Sequence, residues 1–222
     1  MSGGGAGDGP SGAGDRSAGS DEERTAFRWA VRAMQAGLAA VTLFGLVTFR
    51  WGLVINAGVS LGVTFLPGVL ERDLSLPMNP ALVAWITFAV FLHAVGALGP
   101  YRWFGWYDSV THTLSATIAA GAGYATARAL DEHYDRLEVP PAFMFGFIVV
   151  FVLAFGVLWE IMEFASGGLA SILGGDPVLA QYGASDIVYD LTYDAVGGVL
   201  VGLFGTSRLR DLARSLSNSL GS

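Results

Sequence analysis

Apolar residues gather along this chain into six stretches of about membrane-spanning length, parted by short polar breaks. The first two, Ala33 to Phe49 and Gly52 to Leu70, are separated only by Arg50-Trp51. As one helix they would extend roughly 57 Å at 1.5 Å per residue, about twice the hydrocarbon thickness, so a hairpin of two spans with a tight turn near Arg50 is expected. The polar Glu71-Arg-Asp-Leu-Ser-Leu-Pro-Met-Asn-Pro80 follows, its prolines disfavouring helix, and Ala81 to Leu98 makes a third span. Gly99 to Tyr107 is an aromatic-rich connection suited to headgroup level. Asp108 to Leu130 predicts span four, Ala142 to Phe164 span five and Asp186 to Phe204 span six. The charged Asp131 to Pro141 and the Gly-rich Ala165 to Ala184 serve as loops.

Met1 to Ser20 carries no aromatic or branched apolar residue, and a disordered tail is expected there. Ser20-Asp-Glu-Glu23 reads as a capping box that starts the first helix. The expected organisation is a tail over 1–20, a six-span domain over 21–206 and a second tail over 207–222. A hydrophobic content of 53% with only 14% charged residues confirms the class: an all-α, polytopic helical membrane protein whose partner is the lipid bilayer. A formal net charge of -7 and the lack of any basic patch exclude nucleic acid as a partner. With no cysteine, any metal must be held by oxygen and imidazole.

Six spans put both termini on one side. Ten of the twelve arginines fall on that side, leaving only Arg50 and Arg102 opposite. The positive-inside rule then predicts a plasma-membrane protein with cytoplasmic termini. Parity brings three acidic groups to the extracytoplasmic end: Asp108 and His112 opening span four, Glu160 and Glu163 closing span five, and Asp186, Asp190 and Asp194 opening span six. His93 stands at similar depth.

The three aspartates of span six recur every fourth residue and so form one slowly rotating stripe, while Asp108/His112 and Glu160/Glu163 each share a helix face. Intramembrane carboxylates are costly unless they meet protein, water or a cation. Six of them cannot all stay ionised side by side without a neutralising partner. Asp108, His112, Glu160, Glu163, Asp186, Asp190 and Asp194 are therefore candidate ligands of a divalent metal ion, with Mn, Zn, Fe or Mg matching the hard oxygens and imidazole. Arg50 and Arg102 can supply further compensation.

Three blocks also carry a family likeness: Trp106-Tyr-Asp-Ser-Val-Thr-His-Thr-Leu-Ser115, Val157-Leu-Trp-Glu-Ile-Met-Glu-Phe164, and Ser185-Asp-Ile-Val-Tyr-Asp-Leu-Thr-Tyr-Asp194 with Gly197-Gly198. In this order they resemble the signature blocks of the YjdF-like family of uncharacterised integral membrane proteins, over residues 100 to 204 in motif and 50 to 98 in hydropathy. The resemblance implies about six spans and no established activity.

Simpler roles compete with the metal. Asp108 and Asp186 can cap their helices, Glu160 and Glu163 can pair with Arg102, and His93 can be a hydrogen-bonded core residue. Gly197, Gly198 and Gly202 suit close helix packing, and Tyr182, Tyr189 and Tyr193 suit interface or packing positions. Three functions follow from the pattern: a metal-dependent hydrolase or transferase acting at the membrane, a cation or proton-coupled transporter, and a structural or partner-binding protein. The ligands these imply are a lipid or a small ion.

Overall fold

A computed structural model of the chain describes residues 12–74, 78–134, 138–173 and 183–220. Among the described residues all regular structure is helical: α1 (Gly12–Val47), α2 (Trp51–Val63), α3 (Leu66–Leu74), α4 (Pro80–Gly96), the short α5 (Pro100–Trp103), α6 (Tyr107–His133), α7 (Pro141–Leu173), α8 (Ala184–Leu200), a π-helical turn (Val201–Gly205) and α9 (Thr206–Leu220). The expected all-α membrane class is what the chain adopts.

The hairpin at Arg50 closes as a Schellman-type turn. Phe49 takes a left-handed φ of 58°, and the Arg50 N–H donates back to the Gly45 carbonyl at 2.9 Å. Gly45 also lets α2 approach, since a Cβ there would meet Val54 at 2.9 Å. α4 starts where Pro80 ends the loop, with Asn79 capping it by accepting from the Ala81 N–H.

Helix bounds depart from the expected ones in three places. α1 begins at Gly12, ahead of the capping box, and so takes in nine residues of the expected tail. Residues 1–11 of the expected tail lie outside the described residues. α7 runs on to Leu173 through the first half of the expected Gly-rich loop. Gly167 and Gly168 cost about 1 kcal/mol each in a helix, which the flanking Ala, Ser, Leu and Ile positions tolerate. The remainder of that loop, including Tyr182, lies outside the described residues. The C-terminal tail folds as α9, strongly amphipathic and packed on α6, with Leu209 against Gly121 and Ala213 fully buried.

Four helical stretches are long and apolar enough to cross a membrane by length and composition: Asp21–Val47, Trp51–Asp73, Pro141–Gly168 and Ala184–Gly205. α4 is apolar but only 17 residues long. α6 has 27 residues, ample length, yet its threonines, small residues and site side chains dilute its hydropathy. Its burial explains this composition: a helix walled by α4, α7, α8 and α9 has little lipid to satisfy.

Two packing groups result. α1, α2 and α4 close around Leu38, Ala57 and Ala94. α6, α7, α8 and α9 close around Ala116, Ala120, Tyr124, Ile148 and Val152. Gly197 lets α8 press on α6 so closely that a Cβ would lie 2.6 Å from both the Thr113 carbonyl and Ala116. Asp190 and Asp194 of α8 meet Asp108 and His112 of α6 one step nearer the helix starts, so the two helices run in the same direction. The seam between the groups holds the Trp85 indole, which donates to the Thr117 hydroxyl at 2.9 Å, and the Tyr107 hydroxyl, which donates to the Leu92 carbonyl at 2.8 Å.

Candidate metal centre

The site is built where α6 and α8 begin and where α7 passes them. His112, one turn into α6, is nearly buried and stands among three carboxylates. Its Nδ1 lies 3.2 Å from Asp194 Oδ1, within hydrogen-bonding reach. Its Nε2 lies 3.8 Å from both Asp108 Oδ1 and Asp190 Oδ1. The second pair of distances is too long for hydrogen bonds, whose N···O separations cluster at roughly 2.7–3.2 Å. Two ligands of one ion at bonds of about 2.1 Å and tetrahedral angles sit roughly 3.4 Å apart, so each of the two His112 separations exceeds that by only about 0.4 Å. One ligand atom from each of Asp108, His112 and Asp190 lies within 4.8 Å of the others. These three residues can hold a metal ion.

Asp194 occupies the other side of the imidazole. A carboxylate accepting from Nδ1–H leaves Nε2 with its lone pair turned toward Asp108 and Asp190, the usual outer partner of a ligating histidine. Asp190 is 2% exposed, and its Oδ2 is buried with no hydrogen-bond partner among the described residues. A buried carboxylate oxygen in that condition costs a full desolvation penalty unless a proton or cation answers it.

The remaining predicted residues surround this centre. Glu160 and Glu163 are both buried on α7, and the Trp159 indole donates to Glu163 at 2.9 Å. Asp190 lies within electrostatic reach of Glu160 and Asp186, and Glu163 within reach of His112 and Asp108. Asp186 is half-buried at the start of α8. The N-cap positions of α6 and α8 are Trp106 and Gly183, and Asp108 and Asp186 stand in the first turns that follow. Arg102, offered above as a partner for the glutamates, is exposed on α5 and forms no ion pair among the described residues, and Arg50 is likewise exposed. α5 has only four residues and turns the guanidinium outward.

Gly156 and Tyr101 carried no signal in the sequence, whereas His93 takes the core role offered for it. Gly156 of α7 faces Asp194 so closely that any Cβ would collide with its carboxylate and with Leu191. His93 is a hydrogen-bonded core residue, its Nδ1 2.7 Å from the Tyr101 hydroxyl and its ring edge-on to Trp159 at 5.1 Å. Tyr101 also approaches the Thr111 hydroxyl at 3.4 Å, tying the α5 turn to α6. These links need two helices and a turn to meet, and only Trp159 and Glu163, four apart, could be paired on spacing.

Neither a curated protein nor a solved structure matches the chain. A family match runs over residues 30–211 and takes in every residue of the centre. The chain therefore belongs to the family described as predicted membrane protein (DUF2238), the same family as the YjdF-like membrane proteins that its three blocks resemble.

Proposed function

We propose that the chain binds a divalent metal ion through Asp108, His112 and Asp190, and that it works as a metal-dependent hydrolase or transferase at the membrane interface. The observation that carries this reading is the buried Asp190 carboxylate, one oxygen 3.8 Å from His112 Nε2 and the other without a hydrogen-bond partner among the described residues. In such a site the ion supplies Lewis-acid chemistry to a bound water or a phosphoryl or carbonyl oxygen. Asp194 holds the imidazole tautomer, and Glu160 and Glu163 stand ready to accept a proton. Asp108, with a side chain 28% exposed, provides the route from outside. Both ligand helices contribute from their first two turns, which supports a site at headgroup depth, where lipid esters and phosphates lie.

The topology we propose with it is six spans, adding α4 and α6 to the four apolar stretches, in the plasma membrane with both termini cytoplasmic. Elemental analysis of detergent-purified protein dialysed without chelator tests the metal: about one Mn, Zn, Fe or Mg per chain is expected. Metal-free protein whose melting temperature ignores all four ions overturns it. A proton-coupled transporter is the second reading, favoured by the same imidazole lying within reach of three carboxylates, and it predicts that metal-free outcome.

A further inference from the structure

At the opposite end of the α6–α9 group a cavity of about 300 Å³ opens between the end of α6, the start of α7 and the π turn. That volume is at the lower end for small-molecule pockets. Its floor is apolar and buried, formed by Met144 and Ile148, with Phe145 alongside. Its polar lining is of one kind. The Tyr124 hydroxyl, the Thr206 hydroxyl and the Arg210 guanidinium all reach the cavity, and none of them makes a hydrogen bond or ion pair among the described residues. Tyr124 is only 5% exposed, so the side chain that lines the cavity there is held in place by packing.

Arg128 completes the rim. It is shared with Asp131 and, at 3.1 Å, with Glu132, but its Nη2 amine is not engaged by either. Arg214, paired with Asp211 at 3.4 Å, adds to the positive field around Tyr124. Thr206 and Arg210 are four residues apart and so share a face of α9. The π turn just before them takes up an extra residue, which rotates that face relative to α8 and toward the cavity; π turns recur where function needs such an adjustment. Gly202, within the turn, admits the Phe145 ring, since a Cβ there would lie 2.7 Å from it.

The geometry points to a binding site for the phosphate of an anionic phospholipid, with Arg210, Arg128, Tyr124 and Thr206 donating to the phosphate oxygens and the half-buried Phe145, backed by Met144 and Ile148, receiving the glycerol and first acyl carbons. Converging donors and a fork-shaped guanidinium suit a tetrahedral anion. The apolar floor selects a lipid over free phosphate. This site shares no residue with the metal centre and stands or falls separately from it.

The test is lipid retention by the full-length protein in nanodiscs of phosphatidylglycerol or phosphatidylcholine, read by native mass spectrometry after transfer to detergent. Wild type is expected to keep phosphatidylglycerol and lose phosphatidylcholine. Arg210→Gln removes a charge with no ion-pair partner among the described residues, so it should leave the fold intact and weaken retention by about 10-fold, and Tyr124→Phe should weaken it in the same direction. Arg28→Gln on α1 is the control and should change nothing. Inorganic phosphate, which lacks the acyl carbons, should compete only at roughly millimolar concentration or above. Equal retention of the two lipids, an Arg210→Gln protein that retains like wild type, or displacement by micromolar phosphate would each overturn the assignment.

Discussion

Replacing Asp194 by Asn tests the centre through a residue that need not touch the ion. Asp194 is 5% exposed and its Oδ1 is 3.2 Å from His112 Nδ1, so the substitution changes charge and donor pattern without opening space. An amide can turn its NH₂ to Nδ1, which moves the imidazole proton to Nε2, the nitrogen that faces Asp108 and Asp190. Loss of such an outer partner lowers metal affinity by about 10–100-fold, or roughly 1.4–2.7 kcal/mol. The metal-free protein should respond in the opposite sense, because one of several crowded carboxylates has been neutralised. Zinc and manganese titrations by calorimetry, paired with melting curves in chelator, read both effects. Affinity within about twofold of wild type would refute the positioning role of Asp194.

Asp190→Asn, which removes a ligand, should abolish stabilisation by added metal while leaving the protein in chelator as stable as wild type or more so; lower stability in chelator would sink the ligand assignment. Gly197→Ala should destabilise by about 1–3 kcal/mol in a denaturant or thermal assay, since the new methyl meets α6 backbone at 2.6 Å. Gly156→Ala should cost a similar amount and also lower metal affinity by displacing Asp194. For topology, an impermeant thiol reagent on intact cells should label Gly105→Cys, where a side chain has open space, and spare Ser217→Cys; the reverse pattern refutes cytoplasmic termini.

The grouping of Asp108 with His112 and the stripe of Asp190 and Asp194 were legible in the sequence because helical periodicity alone fixes which side chains share a face. Their meeting across α6 and α8 was legible only as shared depth, from span parity. The division of labour was not: nothing local distinguishes Asp190, turned to Nε2, from Asp194, turned to Nδ1. That difference follows from the close contact at Gly197 and from the space Gly156 leaves on α7, both set by packing partners far away in the chain. Span boundaries failed where composition and structure part company. Gly167-Gly168 reads as loop, yet the helix continues through it. α6 reads as a span only if its polar residues are granted a protein environment, which they have.

The common direction of α6 and α8 has an electrostatic consequence. Each helix presents its N-terminus, carrying roughly half a unit of positive charge, at the same end of the molecule, so backbone dipoles alone deliver about one unit of positive potential there. This potential fades within a turn. Asp108 and Asp186 stand in the first turns, within its reach, whereas Asp190 and Asp194, one and two turns deeper, are nearly beyond its range. The centre is thus graded: of its two carboxylate ligands, Asp108 shares its position with the main-chain potential and Asp190 does not, so a cation entering past Asp108 gains most at the Asp190 oxygens.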